Sequence, residues 1–163
     1  MIIDVTPERY SECLEVLRSG FATEVADFGI TRDNTPSNPA FWSDDAAAAV
    51  VAKGFQLFAV EDEGRIVGCA FVGPSKSRPS VWSLRHLAVD PAIRHAGHGA
   101  ALVAEGARRA RAAGAEALAI GIVAENTRLS DWYRRLGFES IDKTRYPGLV
   151  FTVERMRLPF EAI

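Results

Sequence analysis

The chain of 163 residues predicts an α/β fold, and three of its features do so. Short runs rich in Val, Ile and Phe alternate with longer stretches whose apolar residues recur every three or four positions. Asp62-Glu63-Gly64 separates two of the short runs with the turn chemistry of a β-hairpin. Gly97 and Gly99 lead from a strand straight into an Ala-rich helix. No repeat, low-complexity stretch or linker interrupts the pattern, so residues 1–163 read as one domain. That length buries enough apolar surface to fold without disulfides or metal.

Residues 2–5 form a short strand. Thr6-Pro7-Glu8 opens a helix, with Thr6 as N-cap and Pro7 in the first turn. Tyr10, Cys13, Leu14 and Leu17 give that helix one apolar face, and it runs on or restarts towards Val25. Residues 29–40, full of Gly, Asn, Asp and Pro, form a loop. A second helix spans about Ser43 to Lys53, with Ser43 as its cap. Residues 56–61 and 65–72 are the strands of the hairpin, 73–79 a loop and 82–89 the next strand. The helix from Gly99 to Ala113 stops at Gly114, and a strand follows at 118–123. Asn126, a favoured N-cap, and Gly137, a favoured C′ residue, bracket a three-turn helix whose apolar face is Leu129, Trp132, Tyr133 and Leu136. Strands near 138–142 and 149–157 complete the order β-α-α-β-β-β-α-β-α-β-β.

Composition removes several function classes. Lys and Arg number 19 against 21 acidic residues, and no run of either sign stands out, so nucleic acid is not an expected partner. Cys13 and Cys69 are the only cysteines; one falls in a helix and one in a strand, and both read as reduced, packed thiols. The first residues lack the basic region and apolar core of a signal peptide. No apolar run approaches the roughly 20 residues that cross a bilayer. The expectation is a cytoplasmic protein without a membrane partner. His86, His95 and His98 lie close in sequence, but no Cys or carboxylate completes a ligand spacing, and no metal is expected.

Residues 89–102 carry the chemistry. Here the strand runs into Arg94-His95-Ala96-Gly97-His98-Gly99-Ala100 and then a helix. The first N–H groups of a helix have no internal partner and lie at the positive end of its dipole, where phosphate binds well. Arg94 adds a planar cation beside them. A pyrophosphate, such as that of coenzyme A or a nucleotide, is the expected ligand. The Walker loop is absent, and Leu102 stands where the dinucleotide fingerprint needs its third glycine. The bland reading of the same glycines is a tight turn that packs helix on sheet.

Residues 82–138 resemble the acetyltransferases of the GNAT superfamily, through V-D-P-A-I-R-H-A-G-H-G-A-A-L and then N-T-R-L-S-D-W-Y-R-R-L-G-F in the right order. The resemblance implies a single-domain α/β fold: a mixed, mostly antiparallel sheet with helices on both faces, and an acetyl-CoA-binding core at 82–138. It implies an N-acetyltransferase that moves acetyl from acetyl-CoA to a primary amine by direct attack in a ternary complex. Leu87, Ala88 and Val89 would hold the pantetheine arm through their backbones, with the N–H of Leu87 or Ala88 facing the thioester oxygen. Arg94, His95, Ala96, Gly97, His98, Gly99 and Ala100 would hold the pyrophosphate, and Asn126 would touch the coenzyme arm.

Tyr133 stands at the family position near the coenzyme sulfur, where a phenol can protonate the departing thiolate. His86 stands where many relatives carry a glutamate, and a histidine titrating near neutrality can act as general base. Glu125 and a water are the other candidates for that base. The acceptor site, by the same resemblance, falls at about residues 21–42 and 142–150, and Glu24, Asp27 and Asp33 there could pair with a cationic amine. Small amines and peptide amines both stay open, as does a homodimer. A noncatalytic acyl-CoA sensor is the alternative.

Overall fold

The structure, a computed structural model, describes residues 1–161. Among them seven strands form one sheet: β1 (Ile2–Asp4), β2 (Gln56–Asp62), β3 (Arg65–Pro74), β4 (Val81–Val89), β5 (Ala117–Val123), β6 (Glu139–Thr144) and β7 (Val153–Pro159). Their order across the sheet is β1-β2-β3-β4-β5-β7-β6. The α-helices are α1 (Tyr10–Phe28), α2 (Ala46–Ala52), α3 (His98–Ala112) and α4 (Thr127–Arg135). The chain order is the expected one. The sheet is mixed and mostly antiparallel, with β4 and β5 its parallel pair.

Local chemistry explains the elements and moves some of their ends. Glu63 and Gly64 both have positive φ, 51° and 79°, which gives the two-residue hairpin turn whose twist suits the flanking strands. Thr6 does not cap the first helix with its side chain. Pro7–Arg9 form a 3-10 turn instead, and α1 then runs unbroken to Gly29, whose left-handed φ of 66° ends it. Ser43 does not cap α2 either. Asp45 occupies that position, and Ser43 lends only its carbonyl to the N–H of Ala46. The last strand starts at Val153, because Phe151 turns away to pack with Ile30 and Val123.

The helices sandwich the sheet. α1 and α2 cover one face, where Cys13, Leu14 and Leu17 meet Leu57, Ala59 and Phe71. α3 and α4 cover the other, where Leu102, Val103, Ala107 and Ala110 meet Phe58, Val72, Leu84 and Leu118. Cys13 and Cys69 are buried and unbridged, as expected. No helix among the described residues is long and apolar enough to cross a membrane.

One feature of the sheet positions the candidate site. β4 and β5 pair only over Val81–Ser83 and Ala117–Ala119, at the start of each strand. Beyond that point they part. The register between β3 and β4 slips between Cys69 and Phe71, so β4 carries one extra residue at 86–87. His86 takes a left-handed φ of 56° there. Such a bulge bends a strand and increases its twist, which turns the end of β4 away from β5.

Candidate functional site

The gap between the parted strands is a cleft of about 1220 Å³ that α1, β4, β5, α4 and the entrance of α3 line together. β4 brings a free backbone edge to it. Asp90 donates its N–H to Val67 on β3, so by strand alternation the N–H and C=O groups of Val89 and Leu87 point the other way. No strand among the described residues pairs with that edge, because β5 leaves β4 after Ser83. Ala88 pairs with Cys69. Of the two amides expected to face a thioester, only that of Leu87 therefore turns into the cleft; Ala88 lends only a side chain to its wall.

The strand then leads through Asp90, whose side chain accepts from the N–H of Ala92, into the loop before α3. His95 and Gly97 both have positive φ, 69° and 85°. None of the backbone N–H groups of residues 94–100 donates to another group among the described residues; the first α3 amide to do so is that of Ala101, to Gly97. Arg94, His95, Gly97, His98, Gly99 and Ala100 line the cleft, and Ala96 does not. Arg94 has a second task that its sequence did not announce. Its guanidinium donates to the carbonyl of Gly20 on α1 at 2.8 Å.

The two glycines turn out to differ. Gly97 needs its left-handed backbone, and nothing stands near the place of a Cβ. Gly99 is ordinary helix, but a Cβ there would meet the Trp132 ring at 3.3 Å. Gly99 is small where α4 packs on α3, and it lines the cleft as well.

α4 carries Tyr133. Asn126 caps that helix by accepting from the N–H of Leu129 at 3.2 Å, and it also lines the cleft. Gly137, at φ 101°, closes the other end. There Phe138 donates to the carbonyl of Tyr133 and Gly137 to that of Arg134, the double bond of a Schellman cap. From the side, Ser130 and Arg134 both donate to Glu154 on β7, at 2.8 and 3.0 Å. Glu154 is 1% exposed; burial raises its carboxyl, but the hydroxyls of Ser140 and Ser130 and the charges of Arg134 and Lys143 hold it below the ordinary range. Sequence reasoning missed Glu154. Alternation with Met156 on the buried face of β7 is the signal that marks it.

Thus pinned, the Tyr133 ring packs edge-on against Trp132 and Phe138 and is only 5% exposed. Its hydroxyl has no partner within the described residues, yet it is not a sealed atom, so it opens to the cleft. Burial pushes the phenol well above its usual range, and the negative charge of Glu24 adds to the rise. It stays protonated at neutral pH.

His86 departs from its expected behaviour. Its ring sits edge-on to Trp42 at 4.6 Å and to Phe71 at 5.8 Å. Burial, helped by the charges of Arg85 and Lys53, pulls the imidazole down to about 4. It does not titrate near neutrality; it is neutral there and a weak base. Glu125, the other expected base, lies outside the cleft lining. Both its oxygens accept from the N–H of Thr152, at 2.9 and 3.1 Å, and Arg145 stands 3.8 Å away. Among the described residues no three His, Cys, Asp or Glu gather as metal ligands do.

Known proteins share this architecture. Residues 21–138 match the Acetyltransferase (GNAT) family. Over 93 residues, 57% of the chain, it is 38% identical to an amino-acid acetyltransferase of Pseudomonas syringae pv. syringae; that stretch is 20% of the relative, so the chain spans about a fifth of the length of the curated relatives it matches. The crystal structure of a ribosomal-protein-alanine N-acetyltransferase from Brucella melitensis is similar in fold, with a TM-score of 0.75 and 22% identity over 98% of this chain and 99% of that one. The PaiA N-acetyltransferase of Thermoplasma acidophilum, solved with coenzyme A, reaches a TM-score of 0.80 at 14% identity, with 98% of both chains covered. The chain belongs to the GNAT acetyltransferase family.

Proposed function

We propose that this protein moves an acetyl group from acetyl-CoA to a primary amine by direct attack in a ternary complex. One observation carries the reading: the free edge of β4, the unpartnered amides of 94–100 and the Tyr133 hydroxyl all open on the same cleft. The edge of Leu87 and Val89 offers one more strand's worth of hydrogen bonds to the amides of a pantetheine arm. The amides of 94–100, at the positive end of α3 and with His95 and His98 beside them, receive the pyrophosphate. Asn126 meets the arm from the other wall. The N–H of Leu87 polarises the thioester carbonyl as its oxygen gains charge. Tyr133 gives its proton to the leaving sulfur. Burial, which raises the phenol, keeps it protonated at neutral pH until the sulfur leaves.

Relatives of this chain are named for amino acids and for ribosomal-protein alanine as acceptors, and both present a primary amine. That supports an α-amine acceptor here. The buried thiols of Cys13 and Cys69 suit a reducing compartment, which on this reading is the cytoplasm.

Two measurements test the proposal. Calorimetry should give binding of acetyl-CoA and CoA but not of ATP. A thiol-release assay with L-alanine, L-alaninamide and a short alanine-initiated peptide should then show turnover with at least one of them. Tight CoA binding without any thiol release would move the protein to the class of acyl-CoA sensors.

A further inference from the structure

α1 lies across the split end of β4. At Gly20 the two are so close that a Cβ would sit 3.0 Å from that of Ala88, and Arg94 fastens the same turn through the Gly20 carbonyl. Glu24 is one helical turn further along and on the same face. It therefore hangs over the gap between β4 and β5 and lines the cleft. α1 and α4 cover opposite faces of the sheet, so the gap is what lets Glu24 and Tyr133 face one another. Their nearness is felt in the phenol, which the Glu24 charge helps to raise.

Among the described residues the Glu24 carboxylate accepts no hydrogen bond and forms no ion pair, and burial raises it. The neighbouring groups leave it so. Arg85 on β4 turns its guanidinium over the Phe55 ring, Arg94 is committed to Gly20, and His86 is neutral. Asp27, one turn beyond on α1, has the same sign and also lines the cleft. An unpaired, half-buried carboxylate with a second acid beside it is a site for a cation.

Building on the transferase reading above, we propose that Glu24 receives the ammonium group of a cationic amine acceptor and takes its proton. The transfer balances. One ammonium proton passes to the Glu24 carboxylate and is later lost to water, which frees the nitrogen lone pair. The nitrogen bonds to the thioester carbon, the C–S bond breaks, and Tyr133 protonates the sulfur. A second proton, shed by the nitrogen as the amide forms, restores the Tyr133 phenol. Asp27 strengthens the negative potential that draws the amine in. His86, with its apolar aromatic neighbours, shapes the wall beside it.

The test is Glu24→Gln in the full chain, assayed by thiol release with the three amines named above, from pH 5 to 10. At pH 7 the variant should lose about 100-fold in kcat/KM, within the range for a general base. Its profile should lose the acidic limb, which the Glu24 carboxyl sets in the wild type. Acetyl-CoA affinity should be unchanged, which shows that the cleft is intact. Glu24→Asp should recover part of the rate and the acidic limb. A glutamine variant with the wild-type rate, or with a lower rate but an unaltered acidic limb, overturns the assignment and leaves the transferase reading standing. A wild-type protein that binds acetyl-CoA but acetylates none of the three amines overturns both.

Discussion

β4 and β5 meet at one end and part at the other, and the two ends put the same backbone chemistry to different uses. At the closed end Val81–Ser83 and Ala117–Ala119 satisfy each other's N–H and C=O groups, and Leu118 beside them is fully buried under α3. At the open end Leu87 and Val89 carry the same groups with no strand to meet them. A buried backbone group left unpaired is costly, so the open end is stable only because the cleft admits water or a ligand. The lesson is that this site required no special side chain at its centre. It required a bulge at His86 that bends β4 aside, and a glycine at position 20 that lets α1 brace the bent strand.

The contrast can be broken by mutation. Leu118→Ala, at the closed end, should have the largest effect, a loss of about 3–4 kcal/mol of stability from a sealed core position. Chemical denaturation measures it, and kcat of the fraction still folded should not change. If kcat falls with stability, the two ends do not act separately. Tyr133→Phe is the mirror image. Its hydroxyl bonds to nothing among the described residues, so stability should stay within about 0.5 kcal/mol. Turnover should drop about 100-fold, equal to about 2.7 kcal/mol at the transition state.

Glu154→Gln sharpens the comparison, since Glu154 belongs to the structure yet holds the helix that carries Tyr133. Replacing its charged bonds to Ser130 and Arg134 should cost about 2 kcal/mol. The sign with pH follows from its lowered carboxyl. The folded protein holds the anion more firmly than the unfolded chain, so this stability is present above the ordinary value of 4.5 and is lost as pH falls through the lower folded value. Unfolding curves between pH 3 and 7 should show that slope in the wild type and a weaker one in the variant.

Most of the scaffold was legible in the sequence because its signals are local. The Glu63-Gly64 turn, the Asn126 and Gly137 caps and the order of strands and helices depend on near neighbours, and they formed as read. What escaped depends on contacts far apart in the chain. A left-handed histidine within a strand has no local mark, and His86 owes its low pKa to Trp42 and Phe71 from other elements. Glu24 was one of three acids that could pair with a cationic amine, and only the gap beneath α1 sets it and Asp27 apart from Asp33. Glu125 looked placed for the cleft, and a bond to Thr152, 27 residues away, turned it elsewhere.

Gly97 and Gly99 offer the finest probe of the open end, because sequence alone treats them alike. Gly97→Ala puts a side chain into open space but onto a backbone at φ 85°, at a cost of about 1 kcal/mol in strain. The loop would relieve that strain by rotating the neighbouring amides away from their common focus. On the transferase reading the loss should appear as weaker binding of both CoA and acetyl-CoA, by about fivefold, with kcat unchanged at saturation. Gly99→Ala strains no backbone. It presses instead on the Trp132 ring, next to Tyr133 on α4, and should disturb turnover rather than coenzyme affinity. Calorimetry on both variants separates the two glycines: equal losses of CoA affinity would mean that the amides before α3 have no more to do with the coenzyme than the packing behind them.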